Sequence, residues 1–177
     1  MNEVIIKNPY CIENLEGFTP SISHLIGMMN YARQTTLESV KGLSVEQLDY
    51  QFSDNSNSIG ALLAHIAAVE SCFQIGIFDE RNFTDAEYER LEPALKLGTL
   101  GRDKIKGYPL EHYIEALNKA RAESLKRFSE QNDEWLLKPY YNSKNIKGNN
   151  YFEWFHVFED EINHRGQIRL IRKMQGA

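Results

Sequence analysis

The chain has 177 residues, 42% of them hydrophobic and 25% charged, and a formal net charge of −5. That size fits one domain with one core, spanning residues 1–177. No Lys/Arg run stands out to neutralise phosphates and no uncharged apolar run approaches the roughly 20 residues of a membrane span, so neither a nucleic-acid nor a membrane partner is expected.

The N-terminal stretch "MNEVIIKNPYCIENLEGF" has an early Glu3 and no apolar h-region, so it does not read as a signal peptide. Its "EVIIK" is the one candidate strand. Cys11 and Cys72 form no C-x-x-C pair. A cytoplasmic protein with both thiols reduced is expected, with Cys72 acting as a small apolar residue.

Four long helices follow. The first is predicted from Pro20 to Lys41, capped by Thr19, with Pro20 in its first turn and Gly42 as its stop. Leu25, Met28, Met29, Ala32 and Thr35 would face inward. The second starts after a Ser56 or Asn57 cap. Ile59, Leu62, Leu63, Ile66, Phe73 and Ile77 repeat at helical spacing, with Ala61, Ala64, Ala68 and Cys72 behind them. A helix apolar nearly all round belongs at the centre of a fold. Glu70 points with the apolar face, so it needs a partner, and Tyr31 or Arg33 are the candidates.

A short helix is predicted over Asp85–Lys96, and "LGTLGRDKIKGYP" reads as a loop. The third long helix begins near Leu110 and would bury Tyr113, Ile114, Leu117, Ala120, Ser124, Leu125 and Phe128. Residues 132–150 read as a long loop, of the kind that shapes binding sites. The fourth helix runs from about Tyr151 to about Met174. Four long helices in one compact chain predict an all-α fold, a four-helix bundle.

The fourth helix contains "HVFEDEINHRGQI". With about 100° of turn per residue and His156 at zero, Gln167 falls at about 20°, Asp160 at about 40°, Glu153 at about 60° and His164 at about 80°. Metal-ligand residue types thus share one stripe, bordered by Val157, Ile168 and Ile171. Glu161 and Arg165 are expected further round, towards the outside, with Arg165 in a structural salt bridge and Gly166 allowing close helix approach. Glu161 and His164 form an E-x-x-H, the unit of di-iron carboxylate bundles, but no matching copy precedes His24, His65 or His112. A mononuclear site needs a ligand from elsewhere, and His65, mid-way along the apolar second helix with small residues around it, is the best candidate. His65, Asp160 and His164 make a set of two imidazoles and one carboxylate, able to hold Zn²⁺ or an octahedral Fe²⁺, Mn²⁺ or Ni²⁺ with positions left open. Against this stands the commoner fate of such residues, a hydrogen-bonded core histidine and a solvated polar edge. There is no G-x-S-x-G, no H-E-x-x-H and no Gly-rich phosphate loop.

The blocks "SIGALLAHIAAVE" and "FHVFEDEINHRGQI" resemble the DinB/YfiT-like superfamily, and the similarity runs over nearly the whole chain. The resemblance implies an up-down-down-up bundle, often a homodimer, with one divalent metal held by three side chains that fall at His65, Asp160 and His164. The family more often has histidine at position 160; aspartate here is a shorter ligand and leaves the metal open among Zn, Ni, Mn and Fe. His156 matches a family position near the site that is not normally a ligand, and with Glu153 it is a candidate for orientation or proton transfer. Relatives with known activity are similar to transferases and isomerases that use a low-molecular-weight thiol. The expected function is therefore a metal-dependent enzyme, a thiol S-transferase or related hydrolase in stress or detoxification, acting on a small molecule. The alternative is a non-catalytic dimeric bundle that binds a metal or small ligand.

Overall fold

The computed structural model describes residues 8–141 and 145–176; the expected strand over "EVIIK" lies outside them. In chain order the elements are α1 (Pro20–Val40), α2 (Val45–Asp49), α3 (Ile59–Phe73) running on into a π turn (Gln74–Phe78), α4 (Asp85–Lys96), α5 (Gly98–Lys104), α6 (Leu110–Phe128), α7 (Asp133–Leu136), β1 (Pro139–Tyr141), β2 (Lys147–Asn149) and α8 (Asn150–Met174). The four long helices expected from the periodicity are α1, α3, α6 and α8, and the fold is all-α with one two-stranded antiparallel ribbon.

Cross-helix pairs give the direction of each helix. Arg33 reaches Glu161 and Ser39 accepts from Arg169, so α1 and α8 run the same way. Glu70 meets Arg121 and Gln74 meets Ser124, so α3 and α6 run the same way. His65 lies by His164 while Phe73 lies by His156, so α3 opposes α8. The topology is up-down-down-up.

Several local expectations change. Thr19 is the N-cap residue of α1, as expected, but its own side chain makes no capping bond: Asp133, from the segment between α6 and α8, accepts from the Ser21 amide and from the Thr19 and Ser21 hydroxyls. The α3 cap is Ser58, whose hydroxyl accepts from the Ala61 amide. The expected loop at "LGTLGRDKIKGYP" contains α5, and the expected loop over 132–150 contains α7 and the β1–β2 ribbon. Each of these pieces is too short for a periodic signal. Gly166 has open space around it, where an added Cβ would meet nothing within 4 Å, so it is not a point of close approach. That role belongs to Gly60, where a Cβ would lie 2.6 Å from the Tyr113 hydroxyl.

By length and composition Ile59–Phe78 could cross a membrane. Its apolarity matches its place in the bundle, packed against α2, α4, α6 and α8. Two apolar clusters form the core. One gathers Val40, Leu48, Ile59, Leu62, Leu63, Ile66, Tyr113, Leu117, Ile168 and Ile171. The other gathers Ile22, Leu25, Ile26, Met29, Ile77, Phe128, Leu136, Trp154, Val157 and Phe158. Full burial of each large side chain is worth about 1.5–3 kcal/mol, which is what holds the helices together.

Candidate metal centre

His65 and Asp160 stand 95 positions apart in sequence, and antiparallel packing of α3 on α8 brings them together. His65 Nε2 is 3.6 Å from Asp160 Oδ2, and His164 Nε2 is 3.4 Å from Asp160 Oδ1. One ligand atom from each of the three residues lies within 4.8 Å of the other two. The imidazoles meet edge to face with centroids 4.6 Å apart. All three side chains are largely withdrawn from solvent, at 13% exposed for His65, 14% for His164 and 22% for Asp160.

The local structure explains why both Nε2 atoms face inward. His65 Nδ1 lies 2.8 Å from the Ala94 carbonyl oxygen, which can only accept, so Nδ1 carries the proton and Nε2 keeps its lone pair. That carbonyl is open because it belongs to the last turn of α4, where helical carbonyls lack an amide partner. The helix stops there as Leu97 turns to φ 52°. His164 Nδ1 makes a longer contact, 3.4 Å, with Gln167 Oε1 one turn on. Hydrogen bonds of this kind orient metal-binding imidazoles.

The electrostatics follow. Burial pushes the His65 imidazole down, against the pull of the Ala94 carbonyl, and so favours the neutral form a ligand needs. Burial also disfavours the Asp160 carboxylate, but the hydrogen bond and charge of His164 outweigh it and hold Asp160 below its usual range. His164 is raised: burial would lower it, and the bond to Asp160 wins.

A divalent cation fits this set on one decisive observation. Asp160 Oδ2 is a buried oxygen with no hydrogen-bond partner, facing the lone pair of His65 Nε2. Leaving a buried carboxylate oxygen unsatisfied is costly, and two acceptors facing each other are compatible only with a proton or a cation between them. The residues therefore suit a metal.

The other stripe residues fall elsewhere. His156 is half exposed, bonded to Glu159 Oε2 at 3.0 Å, and its ring packs on Phe73 and Phe152. Glu153 is 8% exposed, and burial raises its carboxyl. Glu161 is the main correction. It is 1% exposed, bound by Arg33, and does not point outward. Its engagement removes the di-iron reading. A second E-x-x-H, Glu153 to His156, lies on the same helix, whereas such sites take their pair from separate helices. Arg165 bonds the Thr35 hydroxyl rather than an acid. Of the two partners considered for Glu70, Arg33 is the one that binds it; Arg121, which the periodicity of α6 did not single out, is the other.

A cleft of about 400 Å³ lies beyond the triad, lined by Cys72, Gly76, Arg81, Lys138, Tyr140 and Asn150 among others. Cys72, seven residues after His65, stands on the same face of α3 about 10 Å along the axis. The π turn after Phe73 shapes this end of α3, with Gln74 donating to Ala120 O and Ser124 Oγ. Pockets of about 300–1,000 Å³ suit small organic ligands.

Comparison with known proteins agrees with the fold. A crystal structure of a Streptococcus pneumoniae protein from a structural genomics consortium superposes with a TM-score of 0.63 over 88% of this chain and 90% of that one, at 14% identity. No curated protein matches the sequence significantly. The model of the mycothiol-S-transferase family matches residues 24–176. That span takes in α1 from His24 onward, the other three long helices and the whole triad, so the chain belongs to the mycothiol-S-transferase family, thiol S-transferases of the DinB-like type, within the DinB/YfiT-like superfamily.

Proposed function

We propose that this protein is a metal-dependent thiol S-transferase that joins a low-molecular-weight thiol to a small electrophile, with His65, Asp160 and His164 as the ligands of one divalent ion. The observation that carries the reading is the unpartnered Asp160 Oδ2 facing His65 Nε2, in a set whose other imidazole is also tied back through Nδ1. A bound divalent ion would lower the pKa of a thiol in its open coordination positions and so supply thiolate near neutral pH, where a free thiol is mostly protonated.

In the reaction the sulfur–carbon bond forms, the electrophile's leaving group departs with its electron pair, and the thiol proton passes to solvent or to a nearby base. This chain's residues do the rest. The cleft beside Cys72 and Tyr140 has the volume to hold the non-reacting part of one substrate. His156, half exposed and held by Glu159, and Glu153, whose buried carboxyl is raised, are the two groups beside the triad on the same face of α8 able to carry a proton.

Metal content by mass spectrometry, followed by loss of thiol in the presence of an electrophile, tests the proposal. About one ion per chain and turnover are expected in the wild type, and neither in His65→Ala or His164→Ala that remain folded. Stoichiometric metal with no turnover across a panel of thiols and electrophiles would replace the enzyme with a binding protein. Absence of metal after soaking with Zn²⁺, Ni²⁺, Mn²⁺ and Fe²⁺ would refute the site.

A further inference from the structure

Four charges are buried at the middle of the bundle. Arg33 of α1 donates from Nε to Glu161 (2.9 Å), from Nη2 to Glu70 (2.9 Å) and from Nη1 to the Leu117 carbonyl of α6 (2.9 Å). Arg121 of α6 donates from Nε to Glu70 (2.8 Å) and from Nη1 to Asn30 of α1 (2.8 Å), and lies 3.8 Å from Glu161. None of the four side chains is more than 9% exposed. Burial favours the neutral forms, yet the opposite charges outweigh it, raising Arg33 and lowering Glu70. The set forms a polar layer between the two apolar clusters: along α3 and its π turn, Glu70 falls between Ile66 and Ile77, and on α8, Glu161 falls between Phe158 and Ile168.

A balanced buried ion set adds little net stability over apolar residues of the same volume, because desolvation offsets the attraction. What it adds is direction. Apolar contact is non-directional and tolerates rotation of a helix about its axis, whereas a forked guanidinium does not. Each ligand-bearing helix contributes one carboxylate to the same two guanidiniums. Glu161 adjoins Asp160 and lies within a turn of His164; Glu70 lies little more than one turn from His65. Side-chain atoms ride about 5–6 Å from a helix axis, so about 10° of rotation moves a ligand atom by about 1 Å. A metal site tolerates only about 0.2 Å.

We propose that Arg33, Arg121, Glu70 and Glu161 are positioning residues for the metal centre, setting the rotation of α3 and α8 at which His65 meets Asp160 and His164. The inference rests on reading that triad as a metal site.

Co²⁺ titration followed by the visible spectrum tests it, since affinity and ligand-field bands report geometry rather than stability. Wild-type protein must first take up Co²⁺; if it does not, the metal reading fails and the positioning role with it, visibly before any variant is made. Arg33→Lys keeps the charge and loses the fork. It is expected to weaken Co²⁺ binding by about 10–100-fold, as when supporting partners of metal ligands are lost, and to change the band shape. Arg121→Lys should act in the same direction, and it carries the test if Arg33→Lys fails to fold. Asp133→Ala, which removes the cap on α1 and bonds neither ligand helix, serves as a control that lowers stability and should leave affinity and spectrum at wild-type values. Folded lysine variants with wild-type affinity and bands would overturn the positioning role, as would an equal change in Asp133→Ala.

Discussion

Replacing Glu161 by Met puts a number on the buried charge layer. The substitution removes two bonds from Arg33, at 2.9 and 3.3 Å, and the 3.8 Å approach of Arg121. It leaves two guanidiniums facing one carboxylate, Glu70, in a layer withdrawn from solvent. Breaking one side of a buried ion set costs about 3–5 kcal/mol. For a chain of this size each kcal/mol moves the midpoint by about 2–4 °C, so Tm should fall by about 6–20 °C. The quadruple change Arg33→Met, Glu70→Leu, Arg121→Met and Glu161→Leu removes the charges together. It should be as stable as wild type or up to about 4 kcal/mol more so, while losing the rotational constraint on α3 and α8. Urea unfolding in the presence of chelator, so that bound metal adds nothing, measures both. A Glu161→Met loss under 1 kcal/mol, or a quadruple variant as damaged as the single one, would refute the reasoning.

Metal affinity should fall as pH drops through a point above 6.5, because an ion needs neutral His164 and the Asp160 bond raises that imidazole; calorimetric titration from about pH 8 to about pH 5.5 reads this, and a flat profile would count against His164 as a ligand. In metal-free protein the sign reverses: a raised folded-state pKa contributes stability that is complete below about 6.5 and is lost as pH rises through the folded value. Gly60→Ala should cost about 1–3 kcal/mol, since the new methyl meets the buried Tyr113 hydroxyl at 2.6 Å and the ring carbon at 2.8 Å. Gly166→Ala should instead stabilise by up to about 1 kcal/mol, as an open mid-helix position where alanine has the better propensity; thermal melts of both separate the two cases. Asp133→Ala should cost about 1 kcal/mol through the lost cap on α1, visible as early fraying by amide exchange at Ser21 and Ile22.

Much of the fold was legible because its signals are local. The spacing of Ile59, Leu62, Leu63 and Ile66 marks α3, and Thr84 with Glu87 forms the capping box that starts α4 at Asp85. The i, i+4 pair Asp160 and His164 followed from helical pitch alone. The β1–β2 ribbon, α5 and α7 were hidden because three to seven residues carry no measurable period.

Where each face points was a different matter. A helical wheel gives angles within a helix but no direction to the core, and α8 shows the consequence. Its stripe borders the core at Ile171, while the true centre of burial runs through Trp154, Phe158, Glu161 and Ile168. Glu161 therefore read as an outer residue and lies at the heart of the bundle. The sequence determined which residues form helices and which residue types could bind a metal or carry charge. Only the tertiary structure decided that Glu70 and Glu161 share Arg33 and Arg121, and that the Ala94 carbonyl fixes the His65 tautomer. The reason is physical: these contacts join segments from 29 to 128 residues apart. Such meetings are set by helix packing and by the costs of burying charge, and neither has a period in the chain.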